Sequence, residues 1–240
     1  MEVTKEQMAA NIEKIRQRIE KAALSSGRDP KNVRLCAVCK TRTVQEVMAS
    51  AGLDIDLFGE NREQELREKL SAGAYLQKPC HFIGHLQTNK VNKVVGKVAM
   101  IESVGSLHLL EKIEEASRRL DIVQDILLEI NIGMEASKSG ISPAELWPLA
   151  ERAENSPHLR LRGLMAIPPA GAQPDETRAF FARMRELFLS LGEKGYKNAD
   201  TLSMGMSGDF ELAVMEGATI VRLGTAIYGP RNYGPAESKQ

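Results

Sequence analysis

The chain has 240 residues, and its 32 Lys and Arg balance 32 Asp and Glu, for a formal net charge of zero and a pI near 6.9. That balance, with no long run of like charge, argues against a nucleic-acid partner, and no apolar run approaches the roughly 18 residues that span a membrane. Met1-Glu2-Val3-Thr4-Lys5-Glu6 holds no apolar signal core, so the expected compartment is the cytoplasm.

The first predicted element is a helix over about 4–26. Met8, Ile12, Ile15, Ile19 and Ala22 keep the helical rhythm, Thr4 and Gln7 fit a capping box, and Gly27 marks the stop. Short apolar runs then alternate with helical patterns. Strands are expected at 33–39, 54–59, 79–84, 98–103, 125–132, 159–167, 199–204 and 219–223. Helices are expected at 43–51, 62–70, 87–95, 106–120, 143–154, 174–191 and 209–216. Ser142-Pro143-Ala144-Glu145 reads as a strong helix start. Phe180, Met184, Leu187, Phe188 and Leu191 form an apolar stripe.

Eight strands separated by helices, with no linker-like break in composition, predict an α/β fold: a single (β/α)8 TIM barrel spanning 1–240, with an extra N-terminal helix and a frayed tail near 234–240. An open doubly wound sheet is the alternative, although no GxGxxG follows the first strand. Cys36-Ala37-Val38-Cys39 has the spacing of redox and zinc motifs. In a strand, residues three apart face opposite sides, so buried reduced thiols are the expectation there.

In barrels of this kind the chemistry sits at the C-terminal strand ends. The first strand ends on Lys40. An ammonium at the mouth of an apolar strand is partly desolvated, which lowers its pKa and suits it to Schiff-base formation; a solvated loop lysine is the plainer reading. Met204-Gly205-Met206-Ser207-Gly208 and Gly224-Thr225 leave backbone amides available to an anion, at the loops where barrels bind phosphate. Taken alone they are also compatible with ordinary glycine turns. Arg222 interrupts the last strand and must be paired or face a ligand. His81 and His85 share a strand face, but without a carboxylate ligand set no metal is expected. His85 instead lines the cleft or caps the next helix. A lysine, a two-loop phosphate cradle and an inward arginine suit one cofactor, pyridoxal 5′-phosphate (PLP).

The sequence resembles the pyridoxal phosphate homeostasis protein family, also described as the proline synthase co-transcribed family. The matching segments are Ala37–Thr41, Phe58–Asn61, His81–Lys90, Ser137–Gly140, Gly163–Met165, Leu202–Phe210 and Val221–Gly229, in the family's order over most of the chain. The resemblance implies a barrel like the N-terminal domain of alanine racemase, with PLP on Lys40. It implies Asn61 beside the cofactor with Ser203 and Met204 in the same site, the phosphate on Ser207, Gly224 and Thr225, and Arg222 on the ring nitrogen. It also implies a role in intracellular PLP balance without robust catalysis, with apo PLP-dependent enzymes as possible recipients. His85 and Lys138 are accessory candidates. Two departures stand near the site: Cys39, where the family often has serine, and Arg62, where tyrosine is common.

The rival reading is a racemase-like PLP enzyme. Alanine racemase takes its second acid–base group, a tyrosine, from a β-rich domain, and this sequence runs only 11 residues past Gly229. None of Tyr75, Tyr196, Tyr228 and Tyr233 occupies a suitable strand end. With that domain's interface missing, a monomer is the expectation.

Overall fold

Short apolar strands buried on both faces need cover inside and outside, and a closed parallel barrel ringed by helices supplies both. The computed structural model describes residues 3–135 and 139–230. Its strands are β1 (Arg34–Val38), β2 (Leu57–Glu60), β3 (Cys80–Phe82), β4 (Met100–Val104), β5 (Gln124–Ile130), β6 (Leu159–Ala166), β7 (Thr201–Ser203) and β8 (Ile220–Leu223). They pair in parallel and in chain order, and β8 returns to β1 through Arg34↔Ile220 and Ala37↔Leu223. That closure excludes the open sheet. No helix among the described residues is long and apolar enough to cross a membrane.

The helices are α1 (Lys5–Ser25), α2 (Val44–Ala51), α3 (Glu63–Ser71), α4 (Leu107–Leu120), α5 (Leu146–Glu154), α6 (Pro174–Glu193), α7 (Phe210–Met215) and α8 (Thr225–Tyr228). The Thr4/Gln7 capping box forms at the start of α1. Asn11 then ties α1 to the barrel by donating to the Ile227 carbonyl at 3.0 Å. In α6 the buried stripe is Phe181, Met184, Leu187 and Leu191, with Phe180 and Phe188 packed at its edge.

Three expectations change. Segment 87–95 forms a 3-10 helix, Thr88–Lys93. Asn89, Asn92 and the branched valines Val91, Val94 and Val95 are weak α-helix formers, which fits the tighter, shorter turn. The capping box at Ser142 forms, but Pro143–Glu145 is also 3-10, and α5 begins only at Leu146. Pro148 has no N–H to offer the carbonyl of Ala144, so a regular α start is unavailable there. The third change is α8, a one-turn helix absent from the sequence reading. The tail expected at 234–240 lies outside the described residues.

The barrel interior is built by strand alternation. Cys36, Leu57 and Ile220 cluster with Val38, and Met100, Leu127 and Met165 cluster with Ile167. A string of buried polar side chains runs between these two apolar groups. The larger apolar cluster, which includes Phe58, Phe181, Met184, Met204 and Phe210, fills the layer between strands and helices.

Candidate functional site

Cys36 and Val38 face the interior, and alternation carries the next inward position to Lys40 at the C-terminal mouth. Lys40 is half-buried there. Cys39 takes the opposite face: it is fully buried, and its Sγ lies 2.9 Å from Glu60 Oε1 in the helix layer. The thiol therefore points away from the mouth, and burial, followed by the Glu60 charge, pushes its pKa far up. Cys36, Cys39 and Cys80 are all unpaired and buried, as the strand reading anticipated.

Helix α3 grips the peptides on both sides of Lys40. Lys69 Nζ donates to the Cys39 carbonyl at 2.7 Å, and the Thr41 N–H donates to Glu65 Oε2 at 2.7 Å. Lys69 is itself 2.6 Å from Glu60 Oε1, which also accepts from the Tyr75 hydroxyl at 3.1 Å. Thr41 has φ 64, a left-handed conformation that a β-branched residue rarely adopts and that costs on the order of 1–3 kcal/mol. The two contacts from α3 hold that strained turn and so fix where the Lys40 side chain leaves the backbone.

A second buried string sets Arg222. Its Nη1 donates to Ser203 Oγ at 2.6 Å and its Nη2 to the Ala166 carbonyl at 2.9 Å. Ser203 Oγ in turn donates to Glu102 Oε2 at 2.6 Å, and Glu102 Oε1 lies 2.6 Å from His81 Nδ1. These side chains come from β8, β7, β4 and β3, so the string crosses the interior. Burial alone would push the Glu102 carboxyl up. His81, Arg222 and Ser203 outweigh it and hold that carboxyl below its ordinary value. Arg222 is thus paired on one side, and its position is fixed from below the mouth.

The loops after β7 and β8 form a cradle. Among the described residues, the backbone amides of Ser207, Gly208, Gly224 and Thr225 have no hydrogen-bond acceptor, while Ala226 N–H donates to Ser207 Oγ at 3.3 Å. Gly205 at φ 92 carries the chain into this loop, where a Cβ would come within 2.5 Å of the Ala213 side chain. Asn61 follows β2 at the same mouth, and its side-chain oxygen has no partner among the described residues. Gly84 packs against it: a Cβ there would approach the Asn61 carbonyl to 2.4 Å.

The structure brings Lys40, Asn61, Arg222, Ser207, Gly224 and Thr225 to one mouth. Ser203 lies beneath it as the bridge between Arg222 and Glu102. Met204 is fully buried in the strand–helix layer. His85 is exposed on the β3 side of the mouth. Arg62 is exposed at the start of α3, 3.8 Å from Glu65. Lys138 lies outside the described residues. Tyr75 and Tyr228 are buried in the helix layer, with Tyr228 bonded to Ser50 at 2.9 Å. Sequence reasoning missed Glu60, Lys69 and Glu102. A glutamate closing β2 and another inside the otherwise apolar β4 were the available signals, since a charge in a barrel strand needs a partner.

The family model for the alanine racemase N-terminal domain matches residues 3–232. A pyridoxal phosphate homeostasis protein of Pseudomonas aeruginosa is 42% identical over 231 residues, 96% of this chain and 99% of that protein. One from Aquifex aeolicus is 39% identical over 222 residues, 92% of this chain and 97% of its own. Among solved structures, PipY of Synechococcus elongatus with PLP bound aligns with a TM-score of 0.76 at 32% identity, over 88% of this chain and 100% of PipY. An alanine racemase of Clostridium difficile, with a TM-score of 0.70 at 18% identity, covers 94% of this chain and 57% of its own and shares the fold.

Proposed function

The chain belongs to the pyridoxal phosphate homeostasis protein family, built on the alanine racemase N-terminal fold, and from that premise we propose that it binds PLP through Lys40 and holds it for exchange, without robust catalysis of its own. The observation that carries this reading is the meeting of Lys40, the Arg222 guanidinium and two loops of unused amides at one barrel mouth. When bound, PLP supplies an aldehyde that a lysine amine can take covalently and a ring able to draw electrons from it.

The residues present fit that group. Four backbone amides without acceptors match a phosphate dianion, and the unpartnered Asn61 oxygen leaves a polar contact open beside Lys40. Lys40 would hold the aldehyde carbon; Ser207, Gly224 and Thr225 would hold the phosphate. Arg222 would meet the ring nitrogen, and a guanidinium disfavours a proton there because two cations would face each other. The Ser203–Glu102–His81 string keeps Arg222 in place. A ring left unprotonated draws electrons weakly, which suits holding the cofactor better than carbanion chemistry. Among the described residues no tyrosine hydroxyl stands at the mouth to serve as a second acid–base group.

The test separates carrier from enzyme. PLP-loaded protein, mixed with an apo PLP-dependent enzyme behind a free-PLP trap, is expected to restore that enzyme's activity. In D2O it is expected to exchange amino-acid α-protons only at the background rate of free PLP. Exchange at about 1 s⁻¹ or faster, with no transfer, would reverse the reading in favour of a racemase-like enzyme.

A further inference from the structure

Across the mouth from the cradle, the ends of β3, β4 and β5 frame a cleft of about 440 Å³ lined by His85, Ser103, Gly105, Ser106, Glu129 and Ser139. Glu129 is 7% exposed and Ser103 2% exposed. Glu129 Oε1 accepts from Ser139 Oγ at 2.9 Å, whereas Glu129 Oε2 and Ser103 Oγ have no hydrogen-bond partner among the described residues. Two buried, unpartnered oxygens in one cleft are costly unless a ligand meets them. Gly105 and Gly140 pack so closely that a Cβ on Gly105 would lie 2.9 Å from the Gly140 backbone, so the wall is pinned on that side.

We propose that this cleft receives a primary alkyl ammonium group, with Glu129 as its counter-charge and Ser103 as a second hydrogen-bond acceptor. An ammonium carries three donors and no acceptor, the complement of the two open oxygens. An anionic ligand would face the Glu129 carboxylate. A free α-amino acid brings its own carboxylate beside Glu129, so a plain alkylamine or a lysine side chain fits better. Burial pushes the Glu129 carboxyl up and outweighs the opposing pull of Ser139, Arg222 and His85, and a further cation settled against it favours the ionised form.

For its purpose, though not for the binding itself, the inference rests on the PLP reading: a primary amine is the reagent that removes PLP from Lys40. In that exchange the bound ammonium would first give one proton to Glu129, and the resulting amine nitrogen would bond the carbon held by Lys40 as the bond to Lys40 breaks. Two N–H hydrogens pass from the incoming amine to the lysine nitrogen, and no other reactant is consumed.

The first arm of the test uses PLP-free, 15N-labelled protein titrated with propylammonium, N-acetyl-lysine amide and glycine. Saturable shifts at the Gly105, Ser106 and Gly140 amides are expected with the first two and weaker ones with glycine. Glu129→Gln keeps an acceptor for Ser139 while losing the charge, so the fold is retained and the affinity is expected to drop about ten-fold. Ser103→Ala is a second, smaller probe. No saturable shift, equal affinity in Glu129→Gln, or glycine binding as tightly as propylammonium would each overturn the proposal. The second arm follows propylamine-driven loss of colour from PLP-loaded protein, expected to slow about ten-fold in Glu129→Gln; an unchanged rate would contradict it. A protein that never takes up PLP would sink the cofactor reading, and the first arm would still decide this one.

Discussion

Replacing Lys69 by Met is expected to cost about 3–5 kcal/mol of folding stability, because it leaves the Glu60 carboxylate buried without its cation. Lys69 is 2% exposed and Glu60 fully buried, so water cannot take the lost partner's place. Burial pushes the Lys69 ammonium down, but the neighbouring Glu60 and Glu65 carboxylates help keep its value above the ordinary one. The lysine is therefore charged throughout the physiological range. Urea unfolding measures it. The double variant Lys69→Met/Glu60→Leu, which removes both charges, should recover much of the stability. The single variant should also weaken PLP capture, since Lys69 holds the Cys39 carbonyl beside Lys40. A loss below about 1 kcal/mol, the range of exposed pairs, would mean that the pair is solvated in solution.

Replacing Glu102 by Leu should have an effect of similar size, about 3–5 kcal/mol, by stranding Arg222 and Ser203 in the barrel interior. Ser203→Ala should cost less, about 1–3 kcal/mol, because it removes one hydroxyl bridge and no charge. Glu102 also gives a signed pH dependence. Its folded carboxyl stands below its ordinary value, so its contribution is present above the unfolded pKa and is lost as pH falls through the folded one. Wild type should therefore lose stability on acidification through the carboxylate range more steeply than Glu102→Leu. Parallel acid profiles for the two proteins would contradict the string. With PLP bound, Glu102→Leu should also shift the cofactor's absorption if Arg222 meets the ring nitrogen as proposed, because the Ser203 bridge that holds Arg222 loses its anchor.

The barrel was readable because its signals are local. Continuous runs such as Leu35-Cys36-Ala37-Val38 mark strands buried on both faces, and Lys40 and Arg222 stand out as charges at the ends of such runs. The buried machinery was harder to see. Lys69 lies in Glu-Gln-Glu-Leu-Arg-Glu-Lys-Leu-Ser, a segment that reads as a solvated helix face. It becomes interior only because Leu66 and Lys69 share the side of α3 that packs on β2, a tertiary fact absent from the pattern. The role of His81 was hidden because its partner Glu102 lies 21 residues away and meets it only once β3 and β4 pair. The same limit applied to Cys39. Its neighbour in sequence is Lys40, but alternation turns its thiol toward Glu60 and away from the mouth.

The central claim, that Lys40 is the tether, is tested most directly by trapping. Protein loaded with PLP is reduced with borohydride, digested and mapped by mass spectrometry. A single pyridoxyl-phosphate adduct on Lys40, absent from Lys40→Ala, is the predicted result. An unmodified Lys40 peptide, or an adduct carried mainly by another lysine, would contradict it.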